Sequence, residues 1–316
     1  MSTTLLVDGN AVAYTIDVKE CRDCQDFAKQ YFNRLRDYAK LFPSLPKMIL
    51  FFDDKRGGTW RDKIFPDYQK NRKIQRNNYT EKQKHELELR TKYLSYLEQQ
   101  ISNSKFNYLS YPHTETDDLI SLYCNNIQED GETVIILTTD KDLFQLIRNT
   151  GKRKVHILFL IKRKLIKDEK EGHEILEKKI MLGDPSDSIP SVCSGVGPKY
   201  YPDFKIFLEK MKETETDPAD IEKAKKVSES LGIKYIKSFS NFSAEQLRIN
   251  KVLVNLSSVV KKDIKDDNVR TDYLRQNVNR AKLSPFSLYN IKLENELDPS
   301  INDGTYTNWT NVCYND

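Results

Sequence analysis

Cysteine is scarce: there are five in 316 residues, an odd number. Cys21 and Cys24 form one Cys-x-x-Cys with no second pair near it, and the four histidines are scattered. A structural zinc site needs about four clustered ligands and is excluded. The thiols read as reduced, as in a cytosol. No run approaches the roughly 18 apolar residues of a membrane span. The start, Met1 to Asp8, lacks the basic head and long apolar stretch of a signal peptide, so none is expected. No Ser-His-Asp or Cys-His arrangement is evident. Glycine and proline are modest at eleven each, which excludes collagen. What is present suits a globular chain: 38% hydrophobic, 10% aromatic and 31% charged residues. The length suggests two units, or one large domain with an appendage.

Net charge is also small, +4 from 51 basic and 47 acidic residues. The acids are not evenly spread. Leu5-Leu6-Val7 ends at Asp8-Gly9-Asn10, and Met48 to Phe52 ends at Asp53-Asp54. A weaker run, Phe106 to Ser110, leads to Glu115-Thr116-Asp117-Asp118, and Val134 to Leu137 leads to Asp140-Lys141-Asp142. Short apolar runs separated by helix-length segments predict buried parallel strands, hence a doubly wound α/β domain. Asp26 to Leu41 and Thr80 to Ile101 have helical spacing, with Leu87, Leu94, Leu97 and Ile101 roughly on one face of the second. The segment 152–170 is basic around the strand-like Val155 to Ile161, which suggests a hairpin. Beyond Gly183 helices take over, and 298–316 reads as a polar tail.

In an open α/β sheet the carboxyl ends of the strands line one edge, where ligands bind. Asp8, Asp53, Glu115, Asp117, Asp118, Asp140 and Asp142 are therefore expected to converge. Asp184 and Asp187 in Gly183-Asp184-Pro185-Ser186-Asp187 form a further pair facing one way. Singly, each acid could serve a turn or a helix N-terminus. Together, so many carboxylates raise one another's pKa, and hard cations resolve the conflict. Two Mg²⁺ ions, with Mn²⁺ able to substitute, would stabilise attacking and leaving oxygens at phosphorus. Setting these nine acids aside leaves 38 against 51 bases, an excess of thirteen on the remaining surface. A basic body around an acidic hole suits an enzyme acting on a polyanion.

The motifs Leu-Val-Asp8-Gly-Asn, Phe-Asp53, Trp60-Arg61 through Phe65-Pro66-Asp67-Tyr68-Gln69-Lys70-Asn71-Arg72, Glu115-Thr-Asp117-Asp118, Thr139-Asp140-Lys-Asp142, Gly183-Asp184-Pro-Ser-Asp187 and Gly195-Val196-Gly197-Pro198-Lys199 occur in that order over about residues 5–205. As a set they resemble the flap endonuclease (5′-nuclease) family, most closely its stand-alone phage 5′-3′ exonucleases of the ribonuclease H type. No polymerase domain is expected within these 316 residues, unlike the bacterial polymerase I fusions.

The resemblance implies a PIN-like α/β nuclease domain over 1–180, with a helical arch at about 66–105. A helical DNA-binding region with a helix-three-turn-helix over 181–297 and the tail would follow. It assigns Asp8, Asp53, Glu115, Asp117, Asp118 and Asp140 to a first metal, and Asp142, Asp184 and Asp187 to a second. Lys70 and Arg72 would meet the scissile phosphate beside Asp140. Here the chain departs from its relatives: the position of the family's active Lys is Gln69, with Lys70 one residue on. Tyr68 or Tyr79 would stack on a base, and Lys73 and Arg76 would line the path of a single strand. Gly195, Gly197 and Lys199 would grip duplex phosphates through a hairpin, with a K⁺ held there.

The function implied is Mg²⁺-dependent cleavage near 5′ ends of flaps, nicked or gapped duplex DNA and RNA–DNA hybrids. Its role would be primer removal in phage replication. The protein would be a monomer in the host cytoplasm, away from membranes, with a single-strand-binding protein or sliding clamp as partner. Two rivals stand beside this reading: a PIN-type ribonuclease acting on single-stranded RNA, and a non-catalytic junction binder. The first lacks the 60–72 and 195–199 segments, and the second would lack some of the acids.

Overall fold

A computed structural model describes residues 2–42, 46–54, 58–103, 107–213, 221–232, 241–257 and 271–277. The expected tail at 298–316 lies outside the described residues. The chain begins with strand β1 (Ser2–Asp8), helices α1 (Gly9–Tyr14) and α2 (Cys24–Ala39), strand β2 (Lys47–Phe51) and helices α3 (Trp60–Ile64), α4 (Lys70–Asn77) and α5 (Glu81–Ser102). Strand β3 (Asn107–Leu109), helix α6 (Thr116–Leu122) and strands β4 (Glu132–Thr138), β5 (Lys154–Phe159) and β6 (Lys164–Ile166) follow. Helices α7 (Glu169–Leu182), α8 (Tyr201–Glu213), α9 (Ile221–Ser230) and α10 (Ala244–Val254) complete the order.

Two compact units result. One holds the described residues of 1–57, 79–172 and 271–277, the other 58–78 and 173–257. This grouping differs from a single boundary at 180. The chain leaves the first unit at Gly58, re-enters at Tyr79 and leaves again after Gly172.

The first unit is built on a six-stranded sheet of order β3-β2-β1-β4-β5-β6. All pairs are parallel except β5–β6, an antiparallel hairpin in the basic segment where one was expected. Both faces of a parallel sheet are covered, which accounts for the unbroken apolar runs. Leu5, Val7, Leu50, Phe52 and Leu137 belong to a core shared with Phe27, Tyr31 and Leu35 of α2 and Tyr93, Leu97 and Ile101 of α5. Leu6, Ile49, Phe51 and Ile136 have the opposite parity and are also buried, as the twofold alternation of a strand requires. Asp23 caps α2 by accepting from the Asp26 N–H at 2.8 Å, so that helix starts before the expected Asp26. Thr80 and Gln83 form a capping box that fixes the start of α5.

In the second unit, turns closed by four i→i+3 hydrogen bonds lie between α7 and α8. The N–H groups of Asp187, Ser188, Val196 and Tyr200 donate to the Asp184, Pro185, Cys193 and Gly197 carbonyls at 3.0–3.3 Å. Val192, Cys193, Val196, Phe204, Phe207 and Met211 form the core beneath them. The buried Asn250 of α10 donates to the Ile180 and Pro190 carbonyls, both at 2.9 Å, and so ties α10 to these turns. The expected arch at 66–105 resolves into two helices, α4 and α5, parted by Asn78–Thr80. No residue of α4 is buried.

Candidate metal centre

The sheet reverses its strand order between β1 and β4, the point at which doubly wound sheets bind ligands. Asp8 ends β1, Asp53 lies two residues past β2, and Asp140 two past β4. Each is held by local hydrogen bonds. Asp8 Oδ1 accepts from the Ala11 N–H at 2.9 Å, and its Oδ2 from the Thr138 hydroxyl at 2.8 Å. Asp53 Oδ1 accepts from the Thr116 N–H at 2.8 Å, and its Oδ2 from Asn10 Nδ2 at 2.7 Å. The Asp140 N–H donates to Thr138 Oγ1 at 2.9 Å, and the Asp142 N–H donates to Asp140 Oδ1 at 2.8 Å. Gly9 keeps the turn after Asp8 tight, because a Cβ there would fall on the Phe52 ring and the Phe51 carbonyl.

Charge is unbalanced at this edge. Burial pushes the Asp8 carboxyl up to about 7, and the Asp53 and Asp140 charges add to the rise against the Ala11 and Thr138 hydrogen bonds. Asp117 is raised well above the usual carboxylate range by burial, then by Asp140, Asp8, Asp142 and Asp53. The charges acting most strongly on it are thus all negative. The structure brings Asp8, Asp53, Asp117, Asp140 and Asp142 within reach of one another. Asp118 is fully buried and accepts from the Glu115 N–H at 3.4 Å, so this pair shapes the start of α6.

The donors are all carboxylate oxygens, the kind hard divalent cations take, and they have excess negative charge to offset. That fits such an ion. Among the described residues no group of three closes around one point tightly enough to hold an ion unaided.

Asp184 and Asp187 belong to the second unit and are circumstanced differently: each has a cation of its own. Lys179 Nζ lies 2.6 Å from Asp184 Oδ2, and Arg72 lies 2.6 Å from Asp187 Oδ1. Burial raises Asp184, but Lys179 and Ser186 outweigh it and hold the carboxyl below its ordinary value. Burial raises Asp187 more than Arg72 lowers it, so that carboxyl titrates high. The start of α4 is laced to the same turn. The Gln69 N–H donates to the Asp187 carbonyl at 2.8 Å, the Asn71 N–H to Ser188 Oγ at 2.8 Å, and Arg72 Nε to the Ser186 carbonyl at 3.3 Å. Gln69 itself is left-handed at φ 56° and precedes the helix, while Lys70 is exposed and 3.1 Å from Asp67.

Lys73 and Arg76 are exposed on α4, and Lys199 is exposed with its Nζ 5.3 Å from the Tyr200 ring. Gly195 adopts φ 88°, a conformation that favours glycine. A Cβ at Gly197 would meet nothing within 4 Å, so its backbone stands open. The expectation for Tyr68 needs correcting. Its ring is 5% exposed and packs with Ile189 and Leu253, so both faces are committed to the core and none is offered to a base. Tyr68→Ala should lower stability by about 3 kcal/mol, the size of a buried aromatic truncation, in chemical denaturation. Unchanged stability with a large loss of single-strand affinity would restore the stacking role.

Several residues around these sites escaped the sequence reading. Asn10, Thr138 and Lys179 hold Asp53, Asp8 and Asp184. Arg61, 4% exposed, stacks 4.4 Å from Trp60 and donates to the Leu253 carbonyl at 2.9 Å. Asn10 follows Asp8-Gly9 directly and Thr138 closes an apolar run, so both had a signal in position; Lys179 lies five residues before Asp184, and Arg61 depends on a distant partner, Leu253.

The model of the 5′-3′ exonuclease N-terminal resolvase-like domain matches residues 3–179. The 5′-3′ exonuclease of Buchnera aphidicola subsp. Acyrthosiphon pisum is 29% identical over 159 residues, which are 48% of this chain and 50% of that protein. That of Buchnera aphidicola subsp. Baizongia pistaciae is 27% identical over 203 residues, 60% of this chain and 61% of that protein. The matches thus span about half to three fifths of these curated relatives. Among solved structures, the bacteriophage T5 flap endonuclease in a pseudo-enzyme-product complex with DNA and metal ions aligns with a TM-score of 0.66 at 20% identity, covering 89% of this chain and 100% of that one. The T5 5′-exonuclease with bound zinc aligns at 0.65, with 20% identity and the same coverage. These likenesses show a shared fold. No helix among the described residues is long and apolar enough to cross a membrane.

Proposed function

This chain belongs to the 5′-3′ exonuclease family, and we propose that it is a Mg²⁺-dependent, structure-specific 5′-nuclease. It cuts 5′ flaps, nicked or gapped duplexes and RNA–DNA hybrids by hydrolysis, leaves 5′-phosphate ends, and removes primers of the ribonuclease H kind in phage replication. The observation that carries the reading is a set of five carboxylates, four at or just after the ends of β1, β2 and β4 and the fifth, Asp117, on α6 and surrounded by like charge. The relatives' names and the metal and DNA complexes of the T5 proteins support it.

Asp8, Asp53, Asp117, Asp140 and Asp142 would hold the divalent ions, with Asp184 and Asp187 serving a second ion in exchange for Lys179 and Arg72. When bound, such ions supply the Lewis acidity that activates water and offsets charge at phosphorus. Arg72 orients the phosphate through its planar fork, and Lys70 supplies a mobile positive charge where Gln69 offers none. Lys70 leaves Asp67 readily, since exposed pairs are worth at most about 1 kcal/mol. Lys73 and Arg76 guide the strand along α4 by charge alone. Gly195 and Gly197 present backbone N–H groups to duplex phosphates, Lys199 adds charge, and this hairpin would hold a K⁺.

The test is cleavage of a 5′-labelled flap duplex and its matching single strand, with Mg²⁺ or EDTA, by wild type and Asp140→Ala. Mg²⁺-dependent cutting near the junction, lost in the variant, is expected. Cutting of the single strand alone would replace this reading with a single-strand ribonuclease. Tight flap binding without cleavage under Mg²⁺ or Mn²⁺ would replace it with a binding protein.

A further inference from the structure

We propose that Thr138 is a positioning residue for the carboxylate site: its single hydroxyl orients Asp8 and sets the placement of Asp140 and Asp142. The inference rests on the reading of those acids as the metal centre.

The residues before Thr138 in β4, Val134-Ile135-Ile136-Leu137, are apolar, and Thr138 itself is wholly buried. Valine would fill the same space without a polar atom. A buried hydroxyl left without partners costs roughly 1–3 kcal/mol, so its bonds have to answer for it. Both of its roles are taken. The Asp140 N–H can only donate, and it reaches Thr138 Oγ1 at 2.9 Å. The one hydroxyl hydrogen is then directed to Asp8 Oδ2, 2.8 Å away. Asp8 Oδ1 is fixed by the Ala11 N–H at 2.9 Å, so the carboxylate is held at both oxygens and cannot rotate.

The anchor is itself rigid. Val7 pairs with Leu137 in the β1–β4 ladder, which places Asp8 and Thr138 side by side at the switch point. The Thr138 carbonyl accepts from the Leu160 N–H at 2.9 Å, tying it to the segment after β5. A β-branched side chain has a stiff first torsion, which suits a fixed hydroxyl. From Asp140 the order passes on, because Asp140 Oδ1 accepts from the Asp142 N–H at 2.8 Å. One hydroxyl therefore governs three carboxylates on two adjoining strand ends. Partners of this kind, one bond removed from a metal, typically change affinity or activity by about 10–100-fold when lost.

The experiment compares Thr138→Val and Thr138→Ser in the full chain. Mg²⁺ alone is titrated calorimetrically without DNA, and kcat and KM are measured on the flap duplex at saturating Mg²⁺. Thr138→Val should weaken Mg²⁺ binding about 10–100-fold and lower kcat while leaving KM for the flap unchanged. Thr138→Ser should restore both, which a packing role for the methyl would not do. Equal losses in the two variants, or wild-type behaviour in Thr138→Val, overturn the proposal. If the wild type itself takes up no Mg²⁺ and cuts no flap, the metal reading has failed and the proposal falls with it. One measurement needs no variant: the Asp140 amide, bonded to Thr138, should exchange slowly with solvent, and fast exchange would also overturn it.

Discussion

Asp117→Asn should abolish cleavage and at the same time stabilise the protein in the absence of divalent ions. Both effects have one origin. Asp117 is pushed up by burial and by the charges of Asp140, Asp8, Asp142 and Asp53. In the metal-free protein it either faces these four charges ionised or gives up its own charge by taking a proton, and both cost stability. Asparagine removes that penalty while keeping the shape, so the melting temperature in EDTA should rise, by about 2–4 °C for each kcal/mol recovered. The same change removes a negative oxygen needed to attract the ions. Cleavage of a flap duplex should fall by at least about a thousandfold, equivalent to about 4 kcal/mol of transition-state stabilisation. Mg²⁺ should no longer raise the melting temperature to the extent it does in wild type. An unchanged or lower melting temperature in EDTA would mean that the five acids are already neutralised, and the metal centre would lose its main support.

The metal-free protein should also become less stable as pH rises from about 5 to 8. Asp8 ionises near 7 when folded, against an ordinary 3.8. The folded state therefore holds this proton more tightly than the unfolded chain. Stability is highest where both states are protonated, declines as pH climbs through the interval from 3.8 to about 7, and levels off above it. At 1.36 kcal/mol for each pH unit, Asp8 alone contributes a loss on the order of 4 kcal/mol, with Asp117 and Asp187 acting in the same direction. Asp184, held low by Lys179 and Ser186, acts oppositely, and its contribution is lost only under acid conditions. Melting in EDTA at pH 6 and pH 8 measures the trend. Mg²⁺ should reverse it, with the larger rise in melting temperature at pH 8, where the carboxylates are ionised. A metal-free protein more stable at pH 8 than at pH 6 would contradict the burial assigned to Asp8.

The sheet-bearing unit was largely readable in the sequence. Parallel strands buried on both faces show as unbroken apolar runs, and acids follow Val7 and Phe52 directly and Leu137 after two threonines. The ends of β1, β2 and β4 and their carboxylates could thus be found from local pattern alone. The helical spacing expected from Thr80 to Ile101 also matches α5, which Thr80 and Gln83, three residues apart, cap. What escaped depends on residues far apart. Thr138 meets Asp8 across 130 positions and Asn10 meets Asp53 across 43, and nothing local marks these pairs. Tyr68 sits in a basic, polar stretch that suggests exposure, yet Ile189 and Leu253 bury its ring. The cations beside Asp184 and Asp187 were missed because an acid read alone does not name its partner.

The grouping of 58–78 with the helices after 173 has a consequence for synthesis. The sheet is complete once Ile166 has been made, so its strands can pair while the rest of the chain is still emerging. Tyr68 and Arg61 leave the ribosome much earlier than their companions. Asn71 waits 117 positions for Ser188, and Arg61 waits 192 for the Leu253 carbonyl. At about 5–20 residues per second, that delay lasts roughly 10–40 seconds. During it, Phe65, Tyr68 and the buried guanidinium have no core to enter, and α4 has nothing to dock on. A nascent chain stalled before α10 should therefore be cut by protease between Gly58 and Asn78 while its sheet resists, and release of the full chain should close that window last.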